Sequence, residues 1–122
     1  MPKIGTMEQV VDQKTGEVLD MFAGHCEIKG VGRFKAEPNP RQTGDLAPTH
    51  LIMVKGREIG CMWLRGPDVR GNTYYEIKLD GYPLERAWYV RGFQKLGEDE
   101  KPLSGQFELN YTAPRKVAGE AA

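Results

Sequence analysis

A chain of 122 residues with 39% hydrophobic and 28% charged side chains has the size and composition of one ordinary globular domain. Its 17 basic residues balance its 17 acidic ones, and a net charge of zero removes the argument for nucleic-acid binding that a strongly basic domain would provide. No apolar run approaches the roughly 18 residues that a membrane span needs, and the N-terminus has no signal-peptide pattern. The sequence therefore predicts a cytoplasmic protein without membrane attachment.

Short alternating apolar runs begin with a hairpin, in which Met7–Asp12 and Glu17–Phe22 flank a polar turn that ends in Gly16. The next predicted strand is His25–Lys35, with Lys29, Arg33 and Lys35 on its charged face. Gly30 and Gly32 interrupt this strand, so we expect a bulge, a bend or a close approach of another backbone there.

A proline-containing loop, Glu37–Pro48, precedes the most informative part of the chain. There the two-residue turn Lys55-Gly56 joins the apolar run His50–Val54 to a strand over Arg57–Leu64, which is apolar on both faces. On this strand the alternation predicts that Ile59, Cys61 and Trp63 share one face.

Three further strands are predicted over Thr73–Asp80, Arg86–Phe93 and Gly105–Tyr111, with an acidic loop before the last of them. Residues 1–113 are expected to form one β domain, and residues 114–122 a flexible C-terminal tail. The fold class is therefore all-β, with about seven or eight short antiparallel strands in a small sandwich or a partly open, OB-like barrel. We expect its core to form around Ile59, Trp63, Ile77 and Phe107.

The strand pattern around the Lys55-Gly56 turn also resembles a known family. The segments GREIGCMW and YYEIKLD, with Gly71 between them, are similar to the core motif of the domain-of-unknown-function family 736. The matching residues are Glu58, Ile59, Gly60, Trp63, Gly71, Tyr75, Lys78, Leu79 and Asp80. The resemblance covers about residues 47–81 and the start of the chain, and Cys61-Met62 stand where the family usually has small residues.

This resemblance implies a genetic context but no enzymatic activity. Members of the family are small accessory proteins of proteobacterial plasmids, phages and integrating elements. No established activity or catalytic residue is carried over to this chain. The resemblance thus implies an accessory protein of a mobile genetic element, encoded beside conjugation, partition and anti-restriction functions.

Histidine and cysteine, two residue types common in active sites and metal sites, are few and scattered in this sequence. The two histidines, His25 and His50, have no catalytic or metal-binding motif around them, and His50 is interpreted as a histidine on the rim of the fold. Cys26 and Cys61 are 35 positions apart and form no CxxC pair, so they are interpreted as two reduced core thiols. We therefore predict a protein without enzymatic activity, metal or cofactor.

Macromolecular binding is the remaining class, and single-stranded nucleic acid is the leading hypothesis. Proteins of this kind combine basic grooves with aromatic rings on which bases stack. Lys29, Arg33, Lys35 and Arg41 are the candidates for phosphate binding, and Tyr74 and Tyr89 for stacking. The wider set of candidates for nucleic-acid or partner binding adds the four arginines Arg57, Arg65, Arg70 and Arg91, the first three of which are predicted to cluster near Trp63 and Tyr74.

A protein partner is the alternative. A β domain with free sheet edges can accept a strand from another protein or from a second copy of itself. Under this hypothesis the chain is an inhibitor or adaptor, for example an anti-defence protein that docks on a host nuclease complex, and its partner is a host or phage protein. The sequence leaves the choice between nucleic acid and protein open.

Overall fold

The computed structural model of the protein describes residues 3–41, 44, 47–66, 73–82 and 84–112. Within this part of the chain all the regular structure is β-strand, which confirms the predicted all-β fold class. The eight strands are β1 (Lys3–Val11), β2 (Val18–Cys26), β3 (Gly32–Pro38), β4 (His50–Val54), β5 (Arg57–Arg65), β6 (Tyr74–Leu79), β7 (Trp88–Leu96) and β8 (Pro102–Thr112).

The strands form a closed antiparallel barrel. Each strand pairs with the next, and β8 pairs back onto β1, where Met7 lies opposite Phe107. Closure gives every described strand a paired neighbour on both sides, so none of the eight is an edge strand.

Two glycines allow neighbouring strands to lie close enough for the sheet to curl. A Cβ atom on Gly5 of β1 would collide with the backbone carbonyl oxygen of His25 in β2. A Cβ atom on Gly60 of β5 would collide in the same way with the carbonyl oxygen of Lys78 in β6. Glycines at such positions permit the sharp coiling that a small closed barrel needs.

Inward side chains fill the barrel completely. Phe22 lies near the centre, 2% exposed, with its ring edge-on to Tyr75 at 5.2 Å and to Phe107 at 5.7 Å between centroids. The cavity that remains among the apolar core side chains measures about 10 Å³, which is too small for a ligand. The larger openings lie at one end of the barrel and on its outer wall.

A β-bulge brings Ile59 into this core. Ile52 of β4 pairs with Gly60, whereas the next residue, Met53, pairs with Glu58, so Ile59 is the extra residue on β5. Ile59 is 1% exposed and belongs to the core cluster, together with Ile77 and Phe107 as the sequence predicts.

Trp63 does not share that face, and the predicted common face of Ile59, Cys61 and Trp63 is wrong. Met62 points inward with no exposed surface, so alternation places its neighbour Trp63 on the outer face, where it pairs with Glu76 and is 4% exposed. Cys61 lies on the same outer face, half-buried, so only Cys26 of the two free thiols is a core residue.

The predicted strand His25–Lys35 is also wrong, because a turn divides it. Strand β2 ends at Cys26 and β3 begins at Gly32, and the amide of Val31 donates to the carbonyl of Ile28 within the connecting turn. Gly30 and Gly32 have φ angles of 95° and 62°, which lie outside the strand region. Lys29 is therefore a turn residue and shares no strand face with Arg33 and Lys35.

The described residues contain no helix that is long and apolar enough to cross a membrane. The predicted tail, residues 114–122, lies outside the described part of the chain.

Candidate nucleic-acid interface

The first end of the barrel is formed by the turns 27–31 and 55–56 and by the segment 80–87. A cleft of about 520 Å³ opens there, bounded by Gly30–Gly32, by Lys55 and Arg57, and by Tyr82. We refer to it as the glycine cleft. Its floor includes Ile59, which is 1% exposed, and its rim is basic and aromatic.

The basic rim follows from a tight hairpin turn. Lys55 and Gly56 both have positive φ, 51° and 79°, as expected of the two-residue turn that the sequence predicts between β4 and β5. Asparagine, aspartate or glycine usually occupies the first of these positions, because a Cβ with a long side chain is strained there. The strain at Lys55 is a reason to look for a function in its ammonium group.

The aromatic rim depends on a second glycine turn. The amides of Asp80 and Gly81 both donate to the carbonyl of Ile59 at 2.9 Å, which fixes the chain after β6 against β5. A Cβ on Gly81 would lie 2.7 Å from the Cα of Ile59, so only glycine allows this close approach. The next residue, Tyr82, is consequently held at the mouth of the cleft with 74% of its surface exposed.

Arg57 and Tyr82 form a stacked pair at this mouth. The guanidinium carbon of Arg57 lies 5.0 Å from the centre of the Tyr82 ring, within the range of a cation–π contact. Among the described residues, no carboxylate forms an ion pair with Arg57, Lys55 or Lys29. The cleft thus presents an exposed ring and several uncompensated positive charges to solvent.

The strained turn gives a first testable prediction. Replacing Lys55 with asparagine, which tolerates positive φ, is expected to raise the free energy of unfolding by about 0.5–1 kcal/mol. The same change should weaken the binding of a single-stranded oligonucleotide about threefold or more at low salt, because a phosphate contact is lost.

Chemical denaturation and fluorescence anisotropy measure the two effects. The matched control is Glu100→Asn in the turn after β7, because Glu100 also has positive φ, 61°. The control should gain stability without losing affinity. A Lys55→Asn variant that keeps full affinity would separate Lys55 from the binding site.

The other predicted arginines on β5 and β7 lie elsewhere. Arg65 is at the opposite end of β5 from Arg57, about 26 Å away along an extended strand, so the predicted cluster of these two residues is wrong. On the outer face, Arg65 and Arg91 lie 3.9 Å and 3.6 Å from the carboxylate of Glu76, which forms an ion pair with each.

The two predicted stacking tyrosines also belong to this outer face. The ring of Tyr74 stacks on Phe93 at 5.6 Å, and the guanidinium of Arg91 lies 5.5 Å from its centre. Tyr89 is half-buried and paired in register with Lys78 and Thr112. Tyr74 is therefore stacked within the barrel wall, and Tyr89 also has an interaction partner.

The remaining candidates divide between three places. Arg33 and Lys35 are exposed on the outer face of β3, whereas Arg41 follows that strand at the second end of the barrel, where its amide donates to the Asn39 side chain. Lys29 lies in the turn beside the glycine cleft. Arg70 lies outside the described residues.

The second end of the barrel is closed by a buried histidine. The prediction of a rim histidine is wrong, because His50 is only 3% exposed. Its ring packs edge-on to Phe22 at 5.3 Å between centroids. Its Nε2 donates to the Asp20 carboxylate at 2.9 Å, and its Nδ1 lies 2.8 Å from the Thr49 hydroxyl. Both ring nitrogens are therefore occupied, and we assign His50 a role in closing the core.

Two at least partly buried ionisable groups predict how stability depends on pH. Burial raises the pKa of the Tyr75 hydroxyl, and the Asp20 carboxylate raises it further. Burial also raises the pKa of the Cys26 thiol. Since the folded state holds both protons more tightly than the unfolded state, the free energy of unfolding should fall as pH rises above the ordinary cysteine and tyrosine values, about 8.5 and 10.

Thermal unfolding between pH 7 and pH 11 measures this loss. In the Tyr75→Phe variant the fall above about pH 10 should be smaller, because the ionisable hydroxyl is gone. An equally steep fall in that variant would mean that Tyr75 contributes nothing to the alkaline loss.

Sequence reasoning identified Arg57 and Lys29 but missed Lys55 and Tyr82 as parts of one site. The available signal for Tyr82 was its position: an aromatic residue directly after Asp80-Gly81 lies in a turn, where a ring is more often exposed than in a strand. The signal for Lys55 was a lysine at a turn position that favours asparagine.

Within the described ranges, no group of three or more histidine, cysteine, aspartate or glutamate side chains is arranged to hold a metal ion. Comparisons of the chain with models of protein families, with curated protein sequences and with solved structures find no match.

Proposed function

We propose that the protein is a non-enzymatic binding protein for single-stranded nucleic acid and that the glycine cleft is its main binding site. The observation that carries the proposal is the exposed Arg57–Tyr82 pair beside Lys55. An exposed ring provides a platform for a base of any sequence, and the neighbouring cations attract the phosphates on either side of that base.

The shape of the cleft fits a flat, charged ligand. Arg57 covers one face of Tyr82, and the high exposure of the ring leaves the opposite face for a base. Gly32 has open space where a Cβ would be, so a ribose or phosphate can approach the backbone closely. Val31 and Ile59 supply an apolar floor beneath the base.

These features favour a single strand over a duplex. In a duplex the faces of the bases are stacked on one another and are not available to a tyrosine ring. Zero net charge is compatible with the proposal, because the charges are unevenly distributed. Arg65 and Arg91 lie beside the carboxylate of Glu76 on the outer face, whereas Lys55 and Arg57 at the cleft have no described carboxylate partner.

A titration of a labelled twelve-nucleotide oligothymidylate with the wild-type protein tests the proposal. We expect binding at about 50 mM salt that weakens about tenfold or more at 200 mM, since each phosphate contact to a single strand contributes a slope of about −0.7 to the salt dependence. A duplex of equal length should bind more weakly. Absence of binding at the lower salt concentration would refute the proposal.

That outcome would favour the alternative, an inhibitor or adaptor that binds a host or phage protein or a second copy of the chain. Because the barrel has no described free edge, such a partner would have to bind side-chain surfaces rather than add a strand.

The proposal also includes the cellular context. We place the protein in the cytoplasm, which its two free cysteines support, because reducing compartments keep thiols unpaired. The resemblance over residues 47–81 supports an accessory role in a mobile genetic element.

A further inference from the structure

A second opening lies on the outer wall of the barrel. It measures about 460 Å³ and is bounded by Thr6 and Glu8 of β1, His25 of β2, Arg33 of β3 and Lys95 of β7. We refer to it as the wall groove. Thr6 pairs with His25 and His25 pairs with Arg33, so these three side chains form one row across three strands.

The wall groove adjoins the glycine cleft at the start of β3. Gly32 lines the cleft and Arg33 lines the groove, and consecutive Cα atoms lie only about 3.8 Å apart. Successive residues of a strand face opposite sides of the sheet. Gly32 therefore faces the mouth of the barrel, whereas the side chain of Arg33 lies on the outer wall. Lys29 is exposed in the turn that precedes β3.

The charges of the groove favour an anion beside Arg33, on the side nearer the cleft, and beside Lys95, near the far end of β7. Within the described residues, neither Arg33 nor Lys95 takes part in an ion pair. Lys35, also exposed, continues the row of cations along the outer face of β3. Glu8, the carboxylate among the groove-lining residues, pairs in register with Ala23 and Gln106 and thus lies two residues from the row that contains Arg33. Glu108 lies on that row, opposite Thr6, and its carboxylate is 3.9 Å from the ammonium of Lys3.

We infer that a single strand held in the glycine cleft continues over the start of β3 into the wall groove, where Arg33 and Lys95 bind its backbone phosphates. This inference rests on the proposed function and extends it from one base to a run of nucleotides. The groove binds backbone and not bases, so it adds affinity without sequence preference.

The double variant Arg33→Ala/Lys95→Ala tests the path. With the twelve-nucleotide oligothymidylate, we expect its affinity at low salt to fall about tenfold or more, and the slope of log affinity against log salt to become shallower by about 1.4, or 0.7 for each lost phosphate contact. The matched control is Lys14→Ala/Lys101→Ala, which removes two exposed lysines at the second end of the barrel. The control should keep the wild-type slope.

The outcomes separate this inference from the proposed function. If the wild-type protein binds no oligonucleotide at low salt, the proposed function itself fails. If the wild-type protein binds but the double variant retains the affinity and slope of the control, only the path through the wall groove is refuted. The thermal unfolding midpoint verifies that each variant is folded, and Arg33→Gln/Lys95→Gln replaces the alanine pair if that pair is unstable.

Discussion

Replacing Gly60 with alanine is expected to lower the free energy of unfolding by at least about 3 kcal/mol, at the upper end of what overpacking costs. The new methyl group would collide with the backbone carbonyl oxygen of Lys78, and a backbone atom within a paired strand cannot move aside as the end of a side chain can. The residue also belongs to the bulge that directs Ile59 into the core and beneath the glycine cleft.

Gly44→Ala is the matched control, because Gly44 is exposed and no atom lies within 4 Å of the Cβ position. Its free energy of unfolding should stay within about 0.5 kcal/mol of the wild-type value. Urea denaturation of both variants makes the comparison. Equal stabilities would mean that β5 and β6 are not held as closely as the barrel requires.

Loss of the stacked pair should have the largest effect on binding. In the double variant Arg57→Ala/Tyr82→Ala, the affinity for a twelve-nucleotide oligothymidylate should fall at least about 30-fold, because stacking of one base contributes about 1–3 kcal/mol and a phosphate contact is lost as well. Stability should change little, since Tyr82 is 74% exposed.

Fluorescence anisotropy at about 50 mM salt measures this loss. Tyr82→Phe, which keeps the ring, and Arg57→Lys, which keeps the charge, are the controls, and Tyr82→Phe should bind within about twofold of the wild type because the stacking surface is unchanged. A double variant with wild-type affinity would place the bound strand somewhere other than the glycine cleft.

Local patterns in the sequence were sufficient to predict much of this fold. The Lys55-Gly56 turn and the alternating runs on either side of it identify strands β4, β5 and β6, since turn chemistry and side-chain alternation are properties of neighbouring residues. Closure of the barrel was not predictable in the same way. It depends on β1 pairing with β8, which are far apart in the sequence.

The errors in the fold prediction arise where a turn or a bulge interrupts the alternation of a strand. Cys26, Ile28 and Phe34 have the even spacing of one strand face, but Ile28 and Val31 are buried at a turn in which Gly30 has a positive φ. No residue type in the sequence identifies the bulge at Ile59. Strict alternation therefore predicted that Trp63 lies on the same face as Ile59, whereas it lies on the outer face.

The candidate site was partly predictable from charge. Arg57 and Lys29 are basic residues beside turns, and the structure brings both to one end of the barrel. Arg65 and Arg91 were equally good candidates in the sequence. Only the register of β5, β6 and β7 places Glu76 between them.

An NMR titration tests the central claim most directly, because it locates a bound strand on the barrel without any substitution. Backbone amide shifts would be recorded while the twelve-nucleotide oligothymidylate is added at about 50 mM and then at 200 mM salt. We predict that the largest shift changes occur at Lys29–Gly32, Val54–Arg57 and Gly81–Tyr82, and that they diminish at the higher salt concentration. Shift changes confined to the second end, around Arg41 and Arg65, or no changes at the lower salt concentration, would contradict the claim that the glycine cleft binds single-stranded nucleic acid.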